Sequence, residues 1–310
     1  MSGSGDMVRD DLADNDPVIG WRNRPVVGLS PDINAMTVDV EDYFQVEAFF
    51  HHISRADWDK IECRVERNVD RILQLFADHG ITGTFFTLGW VAKRYPRMVQ
   101  RIVANGHELA SHGVSHIRAD HLSRVQLASD VRTAKEMLEN IGGAPVLGYR
   151  ATSFSITRRN LWALNVLEEA GYRYSSSTHP IKHDLYGILE QPRFAFYPFP
   201  NSSFVEIPVT TMRLFGCNWP AGGGGYFRLF PYAVFKQNLK AVRRRDQKPC
   251  TFYFHPWEID PDQPRIEGTS AKTRFRHYLN LGRTYGRLQQ LLQDFEWSSI
   301  ASVYQIGRDS

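Results

Sequence analysis

Ala35-Met36-Thr37-Val38-Asp39-Val40-Glu41-Asp42 is an apolar run that closes on three acids. The run reads as a β-strand, and strand alternation sends Asp39 and Glu41 to the same side. Carboxylates crowded within four residues repel one another unless a cation lies among them, so one can ligate while another stays a base. Helix capping or simple solvation is the plainer alternative for each. Some ~70 residues on, Ser111-His112-Gly113-Val114-Ser115-His116 leaves a second short alternating run. One helical turn there brings both imidazoles to one side. Acidic oxygens and imidazole nitrogens together suit a divalent ion with positions left open for water, the outline of a metal-dependent hydrolase.

Around this nucleus the chain alternates. Ile61, Val65, Val69, Ile72, Leu73 and Phe76 recur at helical spacing and stop at Gly80, Thr82 to Leu88 is β-rich, and Val91 to Val103 reads as one helix. His107 to Ser111 is a strand, Leu122 to Ile141 a long helix ended by Gly142 and Gly143, and Val146 to Tyr149 a strand. Thr157 caps a helix reaching Ala170, a further helix spans about Pro231 to Arg245, and Tyr172 to Ser176, Phe204 to Val209 and Thr251 to Phe254 supply more strands. About seven strand and helix units predict an α/β fold with a closed or nearly closed parallel barrel. Chemistry in such barrels gathers where strands end, which is where Asp39, Glu41, Asp42, His112, Arg150 and His255 fall.

Eleven histidines give roughly 0.4 chance pairs at i, i+4, so the spacing alone is weak. His179 and His183 form a second such pair that serves as a control. Pro180 lies inside it and no acidic companion accompanies it, so it reads as a loop pair without a ligand role. At 310 residues and 42% hydrophobic the chain can bury a full core as one domain, and a net charge of +3 provides no whole-chain field for nucleic acid. Arg243-Arg244-Arg245 sits where cations complement a helix end. Cys63, Cys217 and Cys250 lack zinc-type spacing and fit a reducing compartment. Neither a membrane span nor a signal peptide is visible, so a cytoplasmic chain is expected, with residues 1–30 as a polar tail.

Thr37-Val38-Asp39-Val40-Glu41-Asp42, His112-Gly-Val-Ser-His116, Gly148-Tyr149-Arg150, Gly171-Tyr172-Arg173-Tyr174-Ser175-Ser176 and Phe254-His255-Pro256 follow one another over about residues 35–260. In order and approximate spacing they resemble the five motifs of polysaccharide deacetylases, the NodB-like carbohydrate esterase family. Asp39-Val-Glu-Asp-Tyr-Phe44, with an Arg274-Phe-Arg-His-Tyr-Leu-Asn280 segment near the carboxyl end, resembles the subgroup encoded beside exosortase and exopolysaccharide genes.

The resemblance implies a distorted barrel of about seven strands over residues 31–262, with a carboxyl-terminal extension, 263–310, packed on it. It implies metal-dependent N-deacetylation of N-acetylated amino sugars in an oligo- or polysaccharide. Asp39 matches the base, His112 and His116 the metal histidines, Arg150 the arginine that orients the base, and His255 the acid. The Tyr43 N–H matches an oxyanion donor. The family's paired aspartates are interrupted by Val40, which leaves Glu41 or Asp42 as the metal carboxylate. The ion is expected to be Zn²⁺, with Co²⁺, Ni²⁺ or Mn²⁺ as substitutes. Arg150-Ala-Thr-Ser-Phe154, which departs from the usual prolines, is shared with metal-free cyclic-amide hydrolases of the allantoinase type. That makes such a hydrolase one rival, and a carbohydrate-binding barrel without turnover is another. Trp219 and Tyr226, which flank a run of four glycines, are candidate sugar contacts, although a linker with core aromatics reads equally well.

Overall fold

The computed structural model describes residue 26 and residues 32–183 and 186–307. The expected polar tail, residues 1–30, falls outside the described residues apart from Val26. The strands are β1 (Ile33–Val40), β2 (Thr84–Thr87), β3 (Glu108–Ser111), β4 (Gly148–Tyr149), β5 (Tyr174–Ser175), β6 (Val205–Glu206), β7 (Thr211–Leu214), β8 (Cys217–Pro220), β9 (Thr251–Phe254) and β10 (Glu296–Ser298). The helices are α1 (Val65–Asp78), α2 (Gly89–Arg94), α3 (Pro96–Ala104), α4 (Arg124–Gly142), α5 (Trp162–Glu169), α6 (Gly224–Leu229), α7 (Tyr232–Asp246), α8 (Ala271–Tyr278), α9 (Leu281–Asp294) and α10 (Ile300–Tyr304).

Eight strands form one curled, wholly parallel sheet in the order β10-β1-β2-β3-β4-β5-β6, with β9 also paired to β1. β1 has three partners because β10 takes its first residues and β2 its last, both along the edge opposite β9. Between β6 and β9 the wall is carried by irregular chain, where Thr210 and Thr251 exchange hydrogen bonds and the Tyr253 N–H donates to Gly222 O at 2.8 Å.

Both faces of the sheet are buried, so its strands are continuous apolar runs. On β1, Met36, Val38 and Val40 face the helical layer, while Ala35, Thr37 and Asp39 share the opposite, inward parity. On β2, Phe85 packs on Phe76 of α1 at 6.0 Å and Phe86 turns inward toward Tyr174 at 6.4 Å. Extending the inward parity by one step lands on Glu41, His112, Arg150, Ser176 and His255, which places them all at one end of the barrel. The other end is plugged by Ile300, Val303 and Tyr304 of α10 beneath Ala35, Phe86 and Ala110. The Ile300 and Ala301 N–H groups cap this plug on Thr84 Oγ1 (2.8 Å) and Glu108 Oε2 (2.9 Å).

Three features differ from the sequence reading. The single helix expected over Val91 to Val103 is two, because Pro96 has no N–H to continue α2 and starts α3 instead. Thr157 caps a short 3₁₀ turn, Arg158–Asn160, ahead of α5. The segment after residue 262 does more than pack on the barrel, since β10 hydrogen-bonds to β1. The three cysteines are free thiols, and no helix among the described residues is long and apolar enough to cross a membrane.

Candidate active site

Glu41, His112 and His116 bring one ligand atom each within 4.8 Å of one another, and all three are buried. Glu41 Oε2 stands 2.6 Å from His116 Nε2 and 3.9 Å from His112 Nε2, yet makes no hydrogen bond of acceptable geometry. The His112 Nδ1–H donates to Arg150 O at 2.8 Å, so Nε2 holds a lone pair aimed at the same point. His116 adopts φ +51°, a left-handed turn that costs a non-glycine residue energy. Arg55 pins this turn from below, donating to Ser115 O (2.8 Å) and His116 O (2.7 Å). A buried carboxylate oxygen without a proton donor, facing two imidazole nitrogens, is a donor set that fits a divalent cation. Burial opposes the charge of Glu41, but the three imidazoles around it hold the carboxyl at about 2, and burial pulls His112 down to about 4.

Asp42 does different work. Its carboxylate accepts from the backbone N–H groups of Tyr43 (2.9 Å), Arg64 (2.6 Å) and Val65 (2.9 Å), which ties the end of β1 to the start of α1. Burial pushes it up to about 6 against the pull of these donors. The Tyr43 N–H is thereby committed to Asp42 rather than free for an oxyanion, and the Tyr43 ring is buried between sheet and helices. The sequence signal for a free N–H was position after the acids, and position alone says nothing of the local turn.

Asp39 is held from one side only. Arg150 Nη1 donates to Asp39 Oδ1 at 2.6 Å and to Thr37 Oγ1 at 2.8 Å, while Nε and Nη2 are fixed by Ser176 O (3.0 Å) and Ser176 Oγ (2.8 Å). The guanidinium also lies 4.1 Å from the Phe86 ring centroid. Across the mouth, His255 Nε2 lies 4.0 Å from Asp39 Oδ2 and 3.5 Å from Glu41 Oε1.

The other side of His255 was not anticipated. Its Nδ1 meets Glu258 Oε1 at 2.8 Å, and Glu258 Oε2 accepts from Arg228 Nε at 2.6 Å. Burial favours neutral imidazole here, but the Glu258 hydrogen bond, with the charges of Glu41, Glu258 and Asp39, raises His255 to about 9. Glu258 is legible in sequence only as the fourth residue of His255-Pro-Trp-Glu, which also spells a capping box, and the structure uses it as both. The glycine run serves the same group: a Cβ on Gly224 would overlap the Glu258 carboxylate. Trp219 is half exposed and Tyr226 partly buried, and both line a cleft that includes no member of the Glu41 group. Of the control pair, His179 is buried and His183 partly so, both rings stacked toward Tyr186. Among the described residues the Glu41 group stands alone as a metal-type cluster.

Residues 57–175 match the family model for polysaccharide deacetylases. That stretch, less than half of the chain, is similar to polysaccharide deacetylases. Residues 176–305 match a second model, described as a domain of unknown function (DUF3473). The join between the two models falls inside the sheet, since β5 ends at Ser175 and pairs with β6, and His255 lies in the second. A peptidoglycan-N-acetylglucosamine deacetylase of Bacillus cereus is 28% identical over 103 residues, 33% of this chain and 46% of that protein. A chitooligosaccharide deacetylase of Sinorhizobium fredii is 42% identical over 45 residues, 14% and 21% of the respective chains. The chain thus spans less than half the length of these curated relatives. Among solved structures, a polysaccharide deacetylase from Mycobacterium smegmatis, described as putative, superposes with TM-score 0.58 at 17% identity, over 89% of this chain and 90% of that one. Puue allantoinase gives 0.57 at 17% identity over 97% of both. These two likenesses concern the fold alone.

Proposed function

We propose that this chain is a metal-dependent N-deacetylase of N-acetylated amino sugars in a polysaccharide or its precursor, of the exopolysaccharide-associated kind, releasing acetate. The observation that carries the reading is Glu41 Oε2, buried without a hydrogen bond and faced by His112 and His116 Nε2. Glu41, His112 and His116 would hold a divalent ion there, most simply Zn²⁺, which would supply Lewis-acid polarisation of the acetamide carbonyl and acidify water.

The chain's own groups divide the proton work. Asp39 Oδ1 is engaged by Arg150, which leaves Oδ2 on the side of His255 to accept the proton of the attacking water. Attack makes a tetrahedral carbon, and its collapse requires a proton on the departing nitrogen. His255 Nε2–H faces the mouth and carries that proton, because Glu258 holds Nδ1 and keeps the ring charged at neutral pH. Acetate and a free amino sugar result. The test is acetate release from N-acetylchitohexaose before and after exhaustive chelation, with Zn²⁺ restored. Activity is expected to vanish on chelation and return with the ion. Acetate release that persists without metal sinks the metal dependence, and no release even with the ion restored favours a cyclic-amide substrate.

A further inference from the structure

We propose that the cleft between the β7–β8 hairpin and α6 binds an anionic glycan strand that carries uronates along its length. The inference rests on the deacetylase reading for the expectation that the ligand is a glycan, but its evidence lies elsewhere in the molecule.

The cleft has a volume of about 1190 Å³, above the ~300–1,000 Å³ usual for a compact small-molecule site, and suits several linked sugars. It opens between the β7–β8 hairpin, α6 and residues 181–182 and 189–196. Its aromatic contribution is Trp219, half exposed, with Tyr226 and Phe230 stacked at 6.4 Å and 20°. Flat apolar faces of this kind suit pyranose rings, and rigid aromatics lose little entropy in offering them. Charge gives the second feature. Lys182, Arg213 and Lys248 line the cleft with no acidic partner among the described residues. The other two charges in the wall are already balanced, Arg193 by Asp246 at 3.1 Å and Glu190 by Arg158 at 3.4 Å. Three unmatched cations in one wall attract carboxylates spaced along a chain.

The third feature is an unmet hydrogen-bonding group. Gln191 lines the same cleft at 4% exposure, and neither end of its amide has a partner among the described residues. A buried amide pays a desolvation cost unless something bonds it, and the hydroxyls of a sugar both donate and accept. Asn218 of the hairpin donates to Pro180 O at 2.9 Å and ties the hairpin to the stretch that begins at Ile181 and Lys182 of the cleft.

The experiment is calorimetry on the full chain carrying Asp39→Asn, with two hexasaccharides as probes. One alternates N-acetylglucosamine with glucuronate, and the other is N-acetylchitohexaose. The acidic probe is expected to bind about five- to tenfold more tightly at low salt, with the difference shrinking as salt rises. Arg213→Ser with Lys248→Ser removes that preference, whereas Arg132→Ser, an exposed α4 arginine outside the cleft, retains it. Thermal unfolding of each variant verifies that it is folded. Equal affinity for the two probes overturns the proposal, as does a preference indifferent to the double substitution. Equally tight binding of inorganic polyphosphate overturns the assignment to a glycan. Cation-dependent binding without acetate release by the unsubstituted chain from either probe sinks the deacetylase reading and leaves the cleft standing. Acetate release without a cation-dependent preference does the reverse.

Discussion

Arg150 Nη1 stands 2.6 Å from Asp39 Oδ1 inside the barrel, and both side chains are closed to solvent. Such a pair gives little net stability when intact, but removing one partner strands the other charge in a poorly solvated site. Arg150→Met is therefore expected to lower unfolding free energy by about 3–5 kcal/mol. Adding Asp39→Asn to it should recover part of that loss while activity stays absent. Urea unfolding of the two singles and the double checks this. A double variant no more stable than Arg150→Met removes the argument.

Glu41 and Asp42 are neighbours with separable fates. Glu41→Gln is expected to reduce Zn²⁺ content severely, with a fall in metal affinity of at least the 10–100-fold seen when merely a supporting group is lost. Asp42→Asn retains the metal and instead costs about 0.5–2 kcal/mol, because the N–H groups of Arg64 and Val65 lose a charged cap. Metal analysis of the purified variants, paired with unfolding curves, distinguishes them. Metal loss in Asp42→Asn with retention in Glu41→Gln inverts the assignment.

The alkaline limb of kcat/KM should follow His255. A general acid is active below its pKa and is lost as pH rises through it, which places the limb near 9 in the metal-free electrostatic field. A metal on Glu41 cancels part of that field, so the limb of the loaded enzyme lies below this value. Glu258→Gln removes the negative charge behind Nδ1 and should shift the limb toward acid. A change in kcat without any shift of the limb means that Glu258 acts only through packing.

His107 governs acid stability away from the site. Its ring lies 5.0 Å from Phe85 and 5.7 Å from Phe76, and Nδ1 accepts the Gly83 N–H at 3.3 Å. Burial pulls it down to about 4, against about 6.5 for an exposed histidine. Below pH ~6.5 the unfolded chain takes up a proton that the folded chain refuses, so the contribution is full above that pH. It is lost as pH falls toward 4, at up to about 1.4 kcal/mol per pH unit. His107→Gln keeps an acceptor for Gly83 and should flatten stability against pH in that window. An unchanged slope there refutes the assignment.

Periodicity made β1 and β9 visible because they are long enough, or apolar enough, to impose a pattern, and Thr251–Phe254 matches the expected run. It also brought Asp39, Glu41, His112, Arg150 and His255 to one end, because each falls where a strand ends. β10 was invisible because Glu296-Trp297-Ser298 is too short to show a period. The β7–β8 hairpin turns at Phe215 and Gly216, both with positive φ, and a phenylalanine gives no such signal in sequence. The commitments of the Tyr43 N–H and of Glu258 depend on which oxygen faces which donor. That is decided by packing between parts of the chain far apart in sequence, of the kind that joins Arg64 to Asp260 across 196 residues and His255 to Asp39. Local pattern cannot encode it.

The pairing of Ile33 with Glu296 gives β1 a temporal property. The Asn34 side chain alone reaches Glu296 O across 262 positions, and Cys250 N–H closes on the same asparagine. A ribosome adding about 5–20 residues each second can supply β2 early, but must pass Glu296 before the first residues of the strand bearing Asp39 find their partner. During that interval an apolar segment waits with unpaired edges, and contacts so distant in sequence form slowly. The exposure of that edge of β1 during synthesis thus lasts until β10, the last of the described strands, has emerged.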